Sequence, residues 1–83
     1  MGLRRFVLIR HRDVTGVSGI GRVAEGVCFS SGNVVMQWTT NGIHAIVVHK
    51  SVDEMLAVHG HNGATTIYWL DAQEEEAHDT NRA

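Results

Sequence analysis

Three glycines fall within a short stretch that separates two strand-like runs near the start of the chain. Residues 13–21 read DVTGVSGIG, so Gly16, Gly19 and Gly21 alternate with hydroxyl, acidic and branched side chains. Glycine permits backbone conformations with positive φ and the close approach of another group. A chain of 83 residues has room for one domain with a small core. We therefore expect this loop to serve a function of its own.

Composition indicates a globular protein, because 43% of the residues are apolar and the net charge is only −2. The single Cys28 excludes an internal disulfide framework and suits a reducing compartment. No apolar run approaches the ~20 residues that a membrane span needs. We expect a cytoplasmic protein that binds no membrane, and a core this small favours a homo-oligomer.

Charge is distributed unevenly along the chain. Five arginines lie within the first 22 residues, whereas the last residues are acidic. This division predicts one compact domain over residues 1–71, with residues 1–5 frayed, and a disordered acidic tail over 72–83. The nearly balanced total makes nucleic acid an unlikely partner.

Alternating apolar and polar residues predict strands over 6–12, 22–29, 34–39, 43–49 and 65–70, with turns at Ser-Gly-Asn and Asn-Gly sequences. One helix is predicted between the fourth and fifth strands. The fold class is α+β and mostly β, with the order β-β-β-β-α-β. This order predicts a small curved antiparallel sheet or a partly open barrel.

Two of the strand patterns carry more detail. In the second strand, Val23, Glu25 and Val27 are predicted on one face, and the small residues Ala24, Gly26 and Cys28 on the other. The small residues leave room for a bulky neighbour such as an aromatic ring. Residues 43–49 are apolar on both faces, which predicts a central or doubly covered strand.

The helix has clear boundary signals. Ser51 and Glu54 fit a capping box, and Gly60 suits the C′ position. Val52, Met55, Leu56 and His59 fall on one stripe, which we expect to pack on the sheet. His59 would then bond the last carbonyls as a charged group favoured by the helix dipole, with His61 over the cap.

The glycine loop suggests an anion site. Its spacing is not a dinucleotide fingerprint, and it lacks the lysine of a phosphate loop. Successive backbone N–H groups in such a turn can still bind an anion, and Arg10, Arg12 and Arg22 flank it. Two alternatives are a plain connection whose Val14, Val17 and Ile20 return to the core, and a protein-contact loop.

Other side chains leave alternatives open. Glu25 is either a buried carboxylate with a raised pKa or an acid at the strand edge. Trp38, Tyr68 and Trp69 are core residues, or one of them stacks a base beside the loop. His59 and His61 are weak candidates for a metal site, completed by His11, His44 or His49, but no His-Glu-x-x-His pattern is present.

The chain resembles a group of small uncharacterised proteins of actinobacteria, haloarchaea and their phages. The resemblance rests on the loop of residues 13–21, on Val-Ala-Glu-Gly-Val at residues 23–27, on a following tryptophan and on His59-Gly60-His61. It covers residues 6–71, with Thr15 in place of a serine and Ser31-Gly32-Asn33 in place of an Asp-Gly-Thr turn. It implies kinship and a phage setting, but no activity.

These observations favour a non-enzymatic module that sequesters a small anionic, nucleotide-like ligand, such as a cyclic nucleotide signal in a phage-infected host. No catalytic residue, cofactor or metal is predicted. An alternative is an inhibitor or adaptor that binds a host protein through the acidic residues 71–79, and a third is a metal-dependent hydrolase. The predicted ligand-binding residues are Arg10, Arg12, Thr15, Gly16, Ser18, Gly19, Gly21, Arg22, Glu25 and Trp38.

Overall fold

A computed structural model describes residues 2–12, 20–40 and 42–72 of the chain. These residues form a sheet of five strands and one helix, in the predicted order β-β-β-β-α-β. In the described part, no helix is long and apolar enough to cross a membrane. The elements are β1 (Arg4–Arg10), β2 (Gly21–Cys28), β3 (Val34–Trp38), β4 (Ile46–His49), α1 (Val52–His59) and β5 (Thr65–Trp69).

The sheet is antiparallel throughout and has the strand order β4-β3-β2-β1-β5. It is open, because β4 and β5 are its two edges. β4 is antiparallel to β3, and β5 is antiparallel to β1. Because β1 and β3 point in the same direction, β4 and β5 also point in one direction. The chain must therefore return across one face of the sheet, and α1 makes that crossing. The predicted fold class is confirmed in its open form.

The core lies between α1 and the face of the sheet that it crosses. Paired residues of neighbouring strands share a face, so Phe6, Leu8 and Met36 point toward the helix together with their partners. Met55 is the buried residue of α1, and Val52 and Leu56 pack beside it as the helical stripe predicted. The fully buried apolar side chains are Phe6, Leu8, Val23, Ala24, Val34, Met36 and Met55.

A β-bulge changes the predicted alternation of β2. Leu8 pairs with Ala24 but Ile9 pairs with Arg22, so Val23 is an extra residue on its strand. Both Val23 and Ala24 are consequently buried in the core. The prediction that Val23 shares a face with Glu25 is wrong for this reason. Glu25 is exposed on the face opposite the helix, which excludes the buried-carboxylate alternative.

The space predicted over the small residues of β2 is occupied by an aromatic ring. A Cβ atom at Gly26 would lie 2.5 Å from Cζ of Phe6 and 2.5 Å from the carbonyl oxygen of Val35. The Phe6 ring in turn packs edge-to-face on Trp69, with centroids 5.5 Å apart. Because residue 26 is a glycine, the backbone of β2 can contact the Phe6 ring and the backbone of β3 at the same point.

Two predictions about strands are wrong. The apolar run ending at His49 is an edge strand, and Ile46 and Val48 are 63% and 67% exposed, because the fourth strand of this meander has no later neighbour. Arg4 and Arg5 are not frayed but begin β1. Arg5 binds the Asp71 carboxylate through two donors at 2.8 and 3.0 Å, and Arg4 stacks on Trp69. These donors lower the pKa of Asp71 to about 2.

The helix begins as predicted but ends differently. Ser51 Oγ accepts the backbone N–H of Glu54 at 3.0 Å. Gly60 is right-handed, and the left-handed residues are His61, Asn62 and Gly63. Gly60 is needed for another reason, since a Cβ there would lie 2.5 Å from the carbonyl oxygen of Leu56.

Gly26→Ala should destabilise the fold by about 1–3 kcal/mol, because the added methyl group meets backbone that cannot rotate away. Thermal and urea unfolding followed by circular dichroism would measure the change. Ser30→Ala, at an exposed turn residue, is the control and should leave the free energy of unfolding unchanged. Equal stability of the Gly26→Ala and wild-type proteins would contradict the packing described for Phe6.

Candidate functional site

Several connections meet at the end of the sheet where β1 finishes. Arg10 pairs with Gly21 on one side and with Thr65 on the other. The glycine-rich connection therefore leaves the sheet at Arg10 and returns at Gly21, which has a φ of 93°. The link between α1 and β5 enters beside it, where the N–H of His11 donates to the carbonyl of Ala64 at 2.6 Å.

Arg10 is a buried cation at this end of the sheet. Its residue is 1% exposed, and Nε donates to the Thr65 hydroxyl at 2.7 Å. Nη2 is buried and has no hydrogen-bond partner among the described residues. A buried donor without an acceptor is costly, and more so when the group is charged. Nη2 of Arg10 is thus a buried, charged donor whose hydrogen-bonding capacity is unused by the described residues.

Two histidines and a glutamate form a hydrogen-bonded chain over the same face. Glu54 Oε2 lies 3.3 Å from Nδ1 of His49, and Nε2 of His49 lies 3.1 Å from Nε2 of His59. An ionised glutamate only accepts, so Nδ1 of His49 carries the donated proton. The two Nε2 atoms of His49 and His59 share the second hydrogen bond, and its direction depends on which ring carries the proton there.

The surroundings of the chain favour a neutral His59. Burial lowers the pKa of His59, and the neighbouring His49, His61 and Arg10 lower it further. The hydrogen bond from His49 lowers the pKa of Glu54, which stays ionised. The prediction of a charged His59 bonded to helix carbonyls is therefore wrong. Desolvation and three basic neighbours outweigh the helix dipole at this position.

Trp38 forms a wall of the site. Its ring packs edge-to-face on His59, with centroids 5.3 Å apart and an interplanar angle of 82°. The side chain is half-buried and also contacts the core cluster. Trp38 thus packs on the core, which is one of the two alternatives that the sequence left open, and its ring also borders His59. Tyr68, in contrast, is 62% exposed at the edge of the sheet.

The structure brings together only part of the predicted ligand-binding set. Arg10, Gly21 and Trp38 lie on or beside the site, as do His59 and His61. Arg12 is exposed just beyond β1. Arg22 and Glu25 pair with Ile9 and Val7, which places both on the opposite face of the sheet.

Thr15, Gly16, Ser18 and Gly19 lie outside the described residues, as do Val14 and Val17. The plain-connection alternative fails for Ile20, which is 67% exposed rather than packed on the core.

The histidines do not form the metal site considered from the sequence. His11 Nε2 is within 2.8 Å of the Thr66 hydroxyl, and His44 is exposed. Among residues 2–12, 20–40 and 42–72, no three histidine, cysteine or carboxylate side chains are placed to share a metal ion. His49 and His59 instead bond to each other.

The sequence does not relate His49, Glu54 and Thr65 to one another. The capping pattern assigns Glu54 only to the start of the helix, and its carboxylate does accept the N–H of Lys50 at 3.4 Å. The contact between His49 and Glu54 has one sequence signal, which is that the two polar side chains lie on either side of the start of the helix. Their common neighbour His59 could be found only once the path of α1 was known.

The pKa of His59 should lie below the 6.5 of a free histidine, as measured by NMR titration of the ring protons. Since the folded protein favours the neutral ring, the contribution of His59 to stability is complete above pH 6.5 and falls as the pH drops toward the folded pKa. His49→Gln should raise the pKa of His59, because one basic neighbour is removed. Burial should still keep the pKa of His59 below 6.5. A midpoint at or above 6.5 in the wild-type protein would contradict the neutral assignment.

Comparison with known proteins gives one family. A family model described as Acb5 phage protein matches residues 3–71, which include every described strand and the helix. No curated protein and no solved structure matches the chain. The family match supports the phage part of the resemblance seen in the sequence. The chain belongs to the Acb5 phage protein family.

Proposed function

We propose that this protein binds a small phosphate-bearing, nucleotide-like ligand at the end of the sheet where Arg10 lies. The observation that carries the proposal is the buried Nη2 of Arg10, which lacks an acceptor among the described residues. Guanidinium groups bind phosphate with paired donors, and charged hydrogen bonds of this kind are the strong ones. A phosphate oxygen at Nη2 would satisfy this donor.

The neighbours of Arg10 fit the same ligand class. Thr65 holds the guanidinium by accepting from Nε, so the remaining donors are fixed in direction. Burial strengthens the attraction between this cation and an anion because water screens it less. Trp38 adds an aromatic wall beside His59. For a member of a phage family, capture of a cyclic nucleotide signal of the host would be a purpose consistent with this chemistry.

Arg22 and Glu25 are not part of this proposed site, since they lie on the opposite face of the sheet. The site proposed is centred on Arg10 and includes Thr65, His59, His61 and Trp38. Arg12 is a further candidate because it follows β1 directly and is exposed.

Arg10→Lys should weaken binding of inorganic phosphate and of nucleotides at least tenfold. The lysine keeps the charge but loses the two-pronged donor geometry. Isothermal titration calorimetry would measure the affinities, and circular dichroism would confirm the fold. Arg22→Lys is a matched control on the opposite face and should bind as the wild type does. Wild-type affinity in the Arg10→Lys variant, or loss of binding in both variants, would refute this site.

A second function, hydrolysis of the bound ligand, is favoured by one specific observation. The chain Glu54–His49–His59 resembles an arrangement for general base catalysis, in which a carboxylate orients one ring and the last ring accepts a proton. His59 is neutral and close to Arg10, so it could accept a proton from a water molecule that attacks the ligand. Sequestration of a ligand without hydrolysis does not require these three hydrogen-bonded side chains.

Incubation with a panel of linear and cyclic nucleotides, followed by chromatography of the products, separates capture from hydrolysis. If the chain is catalytic, Glu54→Gln should lower the rate about 10–100-fold with little change in affinity, because only orientation and charge are lost. Asp53→Asn, at the neighbouring acid outside the chain, is the matched control. A ligand that binds tightly and is recovered intact would leave capture as the function.

The alternative of a protein inhibitor depends on the acidic residues 71–79, most of which lie outside the described residues. Asp71 itself is bound to Arg5 through its carboxylate. It is therefore committed to the fold and not available as the first contact of an acidic arm.

A further inference from the structure

A groove runs beside the Arg10 site, between the C-terminal end of α1 and β5. Its volume is about 460 Å³, within the range of roughly 300–1,000 Å³ that small-molecule sites occupy. Leu56, Ala57 and Ile67 supply an apolar wall, and Asn62, Thr65 and Thr66 supply polar groups. Thr65 belongs to the site proposed above, whereas the other residues that line the groove have no part in it.

The link between α1 and β5 shapes one end of the groove. His61 and Asn62 have φ values of 50° and 55°, and Gly63 follows at 92°, so three successive residues are left-handed. The N–H of Thr65 donates to the carbonyl of Gly60 at 2.9 Å and closes the turn. Side chains rarely adopt such backbone without a compensating constraint. The turn holds the Asn62 backbone at the groove while keeping the link short.

The lining suits a flat ring with polar edges. Apolar side chains on one side can cover the face of a heterocycle, while amide and hydroxyl groups can bond its edge or a sugar. The Thr66 hydroxyl is held in place by His11, whose Nε2 lies 2.8 Å away. The apolar part of the lining lies inside the groove, since Leu56 and Ile67 are half-buried. The polar part lies at the rim, since Asn62 and Thr66 are exposed.

Thr65 connects the groove to the buried cation. Thr65 lines the groove, and its hydroxyl accepts the hydrogen bond from Nε of Arg10 at 2.7 Å. Arg10 itself does not line the groove, so a ligand whose phosphate bonds Arg10 reaches the groove by extending past Thr65. We infer that this groove binds the nucleoside portion of a nucleoside phosphate; the inference rests on the proposed function, which assigns the phosphate to Arg10.

A second groove among the described residues provides a contrast. It has a volume of about 470 Å³ on the opposite face of the sheet, where Val27, Val35 and Ile46 line it together with Glu25. Glu25 would repel a phosphate there, and Arg5 at its margin is already bound to Asp71. The two grooves are of similar size, so it is the adjacent buried cation that selects the one at β5.

The test uses Ala57→Phe, which places a ring in the groove from an exposed helix position, and Val58→Phe as its matched control. Val58 is the next residue of α1, is 57% exposed and does not line the groove. Calorimetry with inorganic phosphate and with a panel of nucleoside monophosphates and their cyclic forms would give the affinities. Heat-induced unfolding would show that both variants are folded.

We expect at least one nucleoside phosphate to bind the wild-type protein ten or more times as tightly as inorganic phosphate. Ala57→Phe should abolish that difference and leave phosphate affinity unchanged, whereas Val58→Phe should keep it. Nucleotides that bind no more tightly than phosphate, or that bind Ala57→Phe as they bind the wild type, would overturn the groove assignment alone. A wild-type protein that binds none of these probes would overturn the proposed function, and the groove assignment with it.

Discussion

The path of α1 across the sheet is the constraint on which the rest of the structure depends. β4 and β5 lie at opposite edges of the sheet and run in the same direction. The connection that contains the eight-residue helix α1 must therefore cross from one edge to the other and also return along the length of the strands. The helix covers Phe6, Leu8 and Met36, which gives the chain its core. The same path carries His59 from the β4 side toward Arg10. Core formation and site assembly therefore have one cause.

The site concentrates basic groups where water is scarce. Arg10 remains a cation because guanidinium does not lose its proton in proteins, whereas His59 responds to the same surroundings by staying neutral. Glu54, at the exposed end of the chain, keeps its negative charge. The site therefore extends from an exposed anion to a buried cation, through two separate sets of hydrogen bonds: Glu54 with His49 and His59, and Arg10 with Thr65. These groups come from β1, β4, β5 and α1.

Most of the fold was predictable from local sequence signals. Turn residues, alternation and the Ser51 cap predict the order of elements and most of their boundaries to within one residue, but β1 is shifted by two residues and β4 begins three residues later than predicted. The bulge at Val23 could not be read in this way, because it depends on how β1 and β2 pair. The edge position of β4 was also missed, because an apolar run does not say how many neighbours its strand has. Both failures concern tertiary pairing.

The sequence groups Arg10 and Trp38 with Arg22 and Glu25 in one predicted site, but Arg22 and Glu25 lie on the opposite face of the sheet. Closeness along the chain suggested that grouping, and the pairing of β2 with β1 separates it. His49, Glu54 and Thr65 come from three different elements, and no spacing in the sequence relates them. A tertiary contact between helix and sheet was needed to show that they act on the same groups.

The junction of β1 and β5 has a consequence for how the chain could be reconnected. The N–H of Leu70 donates to the carbonyl of Arg5, and Asp71 binds the Arg5 side chain. The two ends of the described fold are thereby adjacent, while the β2–β3 turn at residues 29–33 is exposed over most of its length. A circular permutant joined between residues 72 and 2 and opened in that turn would preserve every strand pair. The order of strands along the chain is therefore separable from their arrangement in space.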